Sequence, residues 1–381
     1  MDLAALEARA RKAVGALAPA NANTGFWGSR SNAGRSLPPY YLVYFLLVKL
    51  LRFKDLGRFE KVAFSIPVQI YGTVLMVEYR KFGLGIFIND TADEAAAGEA
   101  AKCIHAGVKV AQQYFDALAD AAAKGSALNV ENKAQELFAR FFYFADRYAE
   151  NSMEAETKKN ERVETEMPKS QDVLSAVMVT FPSYQLLNEA RWNATAAIEA
   201  FYSWTEHVFI LAAILQGKIS TGEDVARAAG AEWKEKFKLA LDIYNPDTKQ
   251  FYDRLTTLRN QVRNFVAHGA FGKNGQALSF HSVVGAVPLL MPHRQSKEHF
   301  RFGNGVDFLP PEAMQLIHDF IAHMWSGDLS PAKIYIESGL PLILSHVCDG
   351  AYAQAMTSDK EMTDFTDHLS RMIDDAANMD W

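Results

Sequence analysis

Apolar residues recur along this chain in two periods, and the switch between them marks out its elements. From Val62 the period is two: Val62, Phe64, Ile66, Val68 and Ile70 alternate with other residues. Tyr71-Gly72 predicts a turn, Thr73 to Tyr79 continues in β-prone residues, and Leu84 to Ile88 reads as a third short strand. Elsewhere the period is that of a helix. The Ala/Leu/Arg-rich start reads as helical, and Asn21 to Ser36, with Gly25, Gly28 and Gly34, reads as loop. Pro38 and Pro39 open an apolar helix through Leu51, and two Ala-rich helices follow at Ala92–Lys124 and Glu131–Glu150.

Residues 151–171 carry nine charged side chains and almost nothing to bury, so they read as a linker or as a charged helix–helix loop. Beyond them Ala194, Ile198, Phe201, Thr205, Val208, Ala212 and Leu215 form one stripe in a helix over Ser183–Gln216. Further helices are predicted at Gly222–Leu241, Asp247–His268, Pro311–Trp325 and Asp359–Ala377, with a β-prone stretch at Leu278–Leu290. The pattern predicts a mainly α protein: an α/β module of undefined role over residues 1–150, then a helical domain over 172–381.

Composition changes this picture little. At 381 residues and 49% hydrophobic, the chain has the apolar content for a substantial core. A net charge of −6 excludes a strongly basic nucleic-acid coat but not a local basic groove. Two distant cysteines, Cys103 and Cys348, argue against a disulfide framework, and the first residues lack the pattern of a signal peptide. The run Tyr40–Leu51 is too short to span a bilayer. A cytoplasmic protein with no membrane partner is expected.

The chemistry concentrates on Asp247–His268. Phe251, Leu255, Leu258, Val262 and Phe265 form its apolar stripe. Asn260, Asn264 and His268 recur every four residues as a polar ridge, and Arg259 and Arg263 make a basic ridge beside it. Gly269 falls where a left-handed C-cap is expected, placing His268 at the helix end, free to meet Arg263.

This ending, Arg263-Asn264-x-x-x-His268-Gly269, preceded by a long helix, resembles the signature of the HEPN superfamily over about Ser183 to Ala270. The resemblance implies a small helical bundle, many of whose members are metal-independent ribonucleases acting as dimers. It implies Arg263, His268 and Asn264 as catalytic residues, RNA as substrate, a homodimer, and a role as toxin or defence effector with an antitoxin or regulatory partner as a further candidate. It also implies a bracing acidic residue on the upstream helix. Glu199, Ser203 and Glu206 share a face there, and Glu206 is the candidate, with Arg259 and Asn260 supporting. The chemistry agrees: His titrates near neutrality, and Arg forks two donors onto phosphate oxygens. The alternatives are a non-catalytic module of the same kind that binds RNA or protein, and a structural protein in which the pair seals a helix end.

Other signals carry less. Gly269 to Gly275 lacks the core of a phosphate loop and follows its helix. His318, Asp319 and His323 have the wrong spacing for helical metal ligands, and His346 and Cys348 lack further partners, so neither a metal nor any other cofactor is expected. Lys49, Arg52, Lys54, Arg58 and Lys61, interleaved with Phe53 and Phe59, read as a solvated face before they read as an RNA-binding run. Arg294–His299 repeats the Arg-to-His spacing without an apolar stripe and is set aside.

Overall fold

The period-two segment extends as β-structure because its branched and aromatic residues fill both faces of a sheet. A computed structural model describes residues 2–21, 28–58, 60–166, 177–268, 278–290, 300–302 and 308–378, with side chains for all of these except 166, 264–268, 290, 301 and 376–378. The chain divides into two units, Met1–Lys124 with Arg371–Trp381, and Gly125–Ser370. It is mainly α, with a sheet in its N-terminal region.

In the first unit the elements are α1 (Leu3–Ala13), β1 (Ala18–Pro19), β2 (Ser29–Arg30), α2 (Tyr40–Tyr44), β3 (Val62–Ile70), β4 (Thr73–Arg80), β5 (Gly83–Ile88), α3 (Glu94–Val110) and α4 (Gln112–Ala123). The strands form an antiparallel sheet in the order β1-β3-β4-β5-β2. Tyr71 and Gly72 both take positive φ, 50° and 87°, the two-residue hairpin turn whose twist matches the flanking strands. The alternation of β3 does not leave one face wet. Ser65 is buried too, and its hydroxyl donates to Glu78 Oε1 at 2.7 Å.

The helix opened by the two prolines continues past α2 as a π-helix, Phe45–Leu50, and buries Leu46, Leu47 and Leu50. Phe53, expected beside the basic run, is buried as well, so it offers no exposed ring there; Phe59 lies outside the described residues. The expected helix Ala92–Lys124 is two helices, broken at Ala111. Gly107 shows why α3 is rich in small residues: a Cβ there would lie 2.6 Å from Val14 Cγ1 and 2.8 Å from Leu46 Cδ2.

In the second unit follow β6 (Asn129–Val130), α5 (Ala134–Thr157), β7 (Val163–Glu166), β8 (Val177–Thr180), α6 (Pro182–Leu215), α7 (Gly222–Gly230), α8 (Trp233–Ala240), α9 (Pro246–His268), β9 (Leu278–Ser282), β10 (Gly285–Leu290), β11 (Arg301–Phe302), α10 (Pro310–Met324), α11 (Ser330–Ser338), β12 (Leu342–Ile343), α12 (Ser345–Cys348), α13 (Ala351–Ala355) and α14 (Asp359–Asn378). Helix α5 runs antiparallel to α6, with Asn151 bonded to Glu189, Phe141 against Phe201, Phe138 against Trp204, and the Lys133 N–H donating to His207 Nε2.

That pairing places residues 125–150 with the helical unit, so the division lies at Lys124/Gly125 and not at residue 150. Of the charged stretch 151–171, the start finishes α5 and residues 163–166 form β7, which pairs with β8. Helix α6 spans about 50 Å at 1.5 Å per residue. It is long and apolar enough to cross a membrane, but 72% of its most apolar window is buried inside the unit. Every residue of its predicted stripe is buried.

Candidate functional site

Helix α9 begins where the sequence says it should. Asn245 caps it, Oδ1 accepting from the N–H groups of Asp247 (3.0 Å) and Thr248 (3.1 Å), and Pro246 occupies the first turn. Leu255, Leu258 and Val262 bury its stripe, and the helix runs through His268.

Two helices reach α9 midway along. From α6, the Tyr202 hydroxyl donates to the Leu255 carbonyl at 2.7 Å. Burial pushes the Tyr202 phenol well above its ordinary pKa, so it stays a donor. One turn further along α6, Glu206 accepts from Arg259 at Oε1 (2.7 Å) and from Lys236 of α8 at Oε2 (2.8 Å). The Lys236 side chain is only 6% exposed, whereas those of Glu206 and Arg259 are 30% and 35% exposed. The Arg259 guanidinium also lies 5.5 Å from the Tyr202 ring and 5.7 Å from the Trp233 ring, within cation–π range. Trp233 itself donates from Nε1 to the buried Thr205 hydroxyl at 3.0 Å.

The predicted residues therefore separate into two groups. Glu206 and Arg259 come together. Arg263, one turn beyond, is exposed and forms no ion pair among the described residues, and Glu206 does not reach it. Asn260 is exposed. Asn264 and His268 lie on the last two turns, their side chains outside the described residues, so the meeting of imidazole and guanidinium lies outside them too. Helical register does fix the backbone positions. Asn260, Asn264 and His268 step round by about 40° each and share a face, whereas Arg263 and His268 stand about 140° apart around the axis.

Positions 260, 264 and 268 of the backbone therefore lie towards one side of α9, with position 263 on the next. Sequence reasoning missed Lys236, Tyr202 and Trp233. Lys236 does carry a sequence signal: in Trp233, Lys236, Phe237 and Ala240 a lysine stands inside an apolar stripe, and a charge there must find a partner.

The other clusters have ordinary partners. His323 Nε2 bonds the Thr248 hydroxyl at 2.8 Å, His318 sits 3.6 Å from Asp319, and His346 Nδ1 lies 3.0 Å from Asp349. The glycine-rich turn 269–275 and Arg294–His299 lie outside the described residues. Compared with protein-family models, curated proteins and solved structures, the chain finds no match.

Proposed function

We propose that this chain is a metal-independent endoribonuclease of the HEPN type, with its active centre at the C-terminal end of α9. One observation carries the reading most: an exposed Arg263 stands one turn beyond the turn fixed by Glu206, on a helix that continues through Asn264 to His268. A helix clamped in its middle, with Arg263 exposed one turn further on, suits a site that must hold a phosphate rigidly yet admit a chain of nucleotides.

In this reading His268 takes the proton from a ribose 2′-OH. The oxygen attacks the adjacent phosphorus, and the bond to the 5′-oxygen of the next nucleotide breaks as that oxygen is protonated. Arg263 holds two non-bridging oxygens as charge builds on them, and Asn264 orients the imidazole or the phosphate. One histidine cannot readily be both base and acid in one step. Because Arg263 and His268 diverge around one helix axis, a homodimer that sets two α9 ends face to face supplies the second set, and twofold dimers are the commonest closed assembly. A cytoplasmic toxin or defence effector, held by an antitoxin or regulatory partner, is the biological role proposed.

The test is cleavage of an RNA pool in excess EDTA by wild type beside His268→Ala. The expected products end in 2′,3′-cyclic or 3′-phosphate, and RNA methylated at the attacking 2′-OH resists. Cleavage that disappears in EDTA and returns with Mg²⁺ would replace this chemistry by a two-metal one. Equal cleavage by His268→Ala would remove the site from α9.

A further inference from the structure

We propose that Lys236 is a positioning residue of this site, setting the last turns of α9 through Glu206 and Arg259. The role rests on the ribonuclease reading above. A carboxylate on a long helix such as α6 has several rotamers, and an ion pair that is a third exposed does not choose among them firmly. Lys236 removes that freedom. Its ammonium, almost wholly buried, engages Oε2 at 2.8 Å and leaves Oε1 aimed at Arg259 at 2.7 Å.

Lys236 is itself held, because its helix is anchored three residues earlier by the Trp233–Thr205 bond. The same Trp233 ring flanks Arg259, as does Tyr202, whose hydroxyl holds the Leu255 carbonyl on α9. Two helices thus hold the stretch of α9 from Leu255 to Arg259, one at the Leu255 carbonyl and both at the Arg259 guanidinium. Arg263 lies one turn beyond that stretch, so a shift of Arg259 along or around the axis displaces Arg263 with it.

Stability alone does not call for a lysine here. A methionine of similar length would fill the same place in the stripe between Trp233 and Ala240 without a desolvated ammonium, and the Glu206 carboxylate left behind is 30% exposed and still paired with Arg259, so no buried charge is stranded. What a methionine does not do is aim the Glu206 carboxylate.

The experiment compares wild type, Lys236→Met, Lys236→Arg and His268→Ala, measuring kcat and KM on one RNA, thermal melting, and the Arg259 Nε–H resonance. The expected result is a Lys236→Met protein that melts within about 2 °C of wild type. Its kcat should fall tenfold or more, on the order of what a misplaced catalytic group costs, with KM changed less than about twofold. Its Arg259 resonance should broaden or shift towards the solvent position, and Lys236→Arg should recover most of the kcat. A well-folded Lys236→Met with wild-type kcat overturns the role. So does a kcat loss that merely tracks the unfolded fraction. If Lys236→Met does not fold, Glu206→Gln, which keeps the shape and weakens both ion pairs, is read by the same criteria. A wild type that cleaves no RNA, or no more than His268→Ala, overturns the ribonuclease reading itself, and the positioning role with it.

Discussion

Two successive turns of α9 carry the same residue type to opposite ends. Arg259 is half-buried, bonded to Glu206 and flanked by two aromatic rings; Arg263 stands exposed with no ion pair among the described residues. Nothing local in the sequence separates them, since both follow the same apolar stripe at the same offset. What separates them is which helices pack alongside. The middle of α9 lies against α6 and α8, and an arginine there must be paired or pay its desolvation cost. A basic ridge on a helix is therefore not one structural unit: its first residue here is tied to neighbouring helices and its second stands exposed.

Four measurements press on that contrast. The largest effect is expected from Arg263→Ala, which should cut RNA cleavage on the order of a hundredfold while leaving the melting temperature within about 1 °C, because an exposed side chain contributes little to stability. A large drop in melting temperature with it would place Arg263 in the architecture and erase the contrast. Next, Glu206→Ala strands the buried Lys236 and loosens Arg259, and should cost about 2 kcal/mol of unfolding free energy. That is less than a fully buried pair would lose, because Glu206 and Arg259 are each about a third exposed. Denaturant titration reads it directly. Trp233→Phe keeps most of the ring but loses the bond to Thr205, and should cost about 1 kcal/mol in the same assay. A neutral result would mean that α8 is held by packing alone.

The smallest effect is in pH. His207, beside Glu206 on α6, is half-buried, and burial holds its pKa below the ordinary 6.5; neutral, it accepts the Lys133 N–H at 2.9 Å. The unfolded chain therefore binds this proton more readily than the folded one. The contribution is fully present above about pH 6.5 and is lost as pH falls from there through the folded pKa. His207→Gln should flatten the fall in stability measured over that window. A profile identical to wild type would show that the fixed region of α6 does not extend to the α5 end.

Much of the architecture is legible in the order of residues. The strand alternation from Val62, the Tyr71-Gly72 turn, the α6 stripe, the Asn245-Pro246 start of α9 and its run to His268 are all local signals, written within one or two turns of chain. The candidate site is legible as a motif on a helix, and Glu206 as a residue on the neighbouring one. The break between α7 and α8 is not. Residues 222–241 keep a helical period throughout, yet Ala231 and Glu232 are extended, and this re-aims the helix so that Trp233, Lys236 and Phe237 turn inward.

The sequence by itself determined the periods, the helix ends and the residues able to do acid–base and phosphate chemistry, because these depend on near neighbours. Tertiary structure alone decided that α5 belongs with α6, that Glu206 serves Arg259 and Lys236 and not Arg263, and that Ser65 and Glu78 share a buried bond across two strands. Those choices turn on burial. Whether a charge must be paired, and with which distant group, is set by what packs over it, and periodicity within one helix or strand holds no record of that.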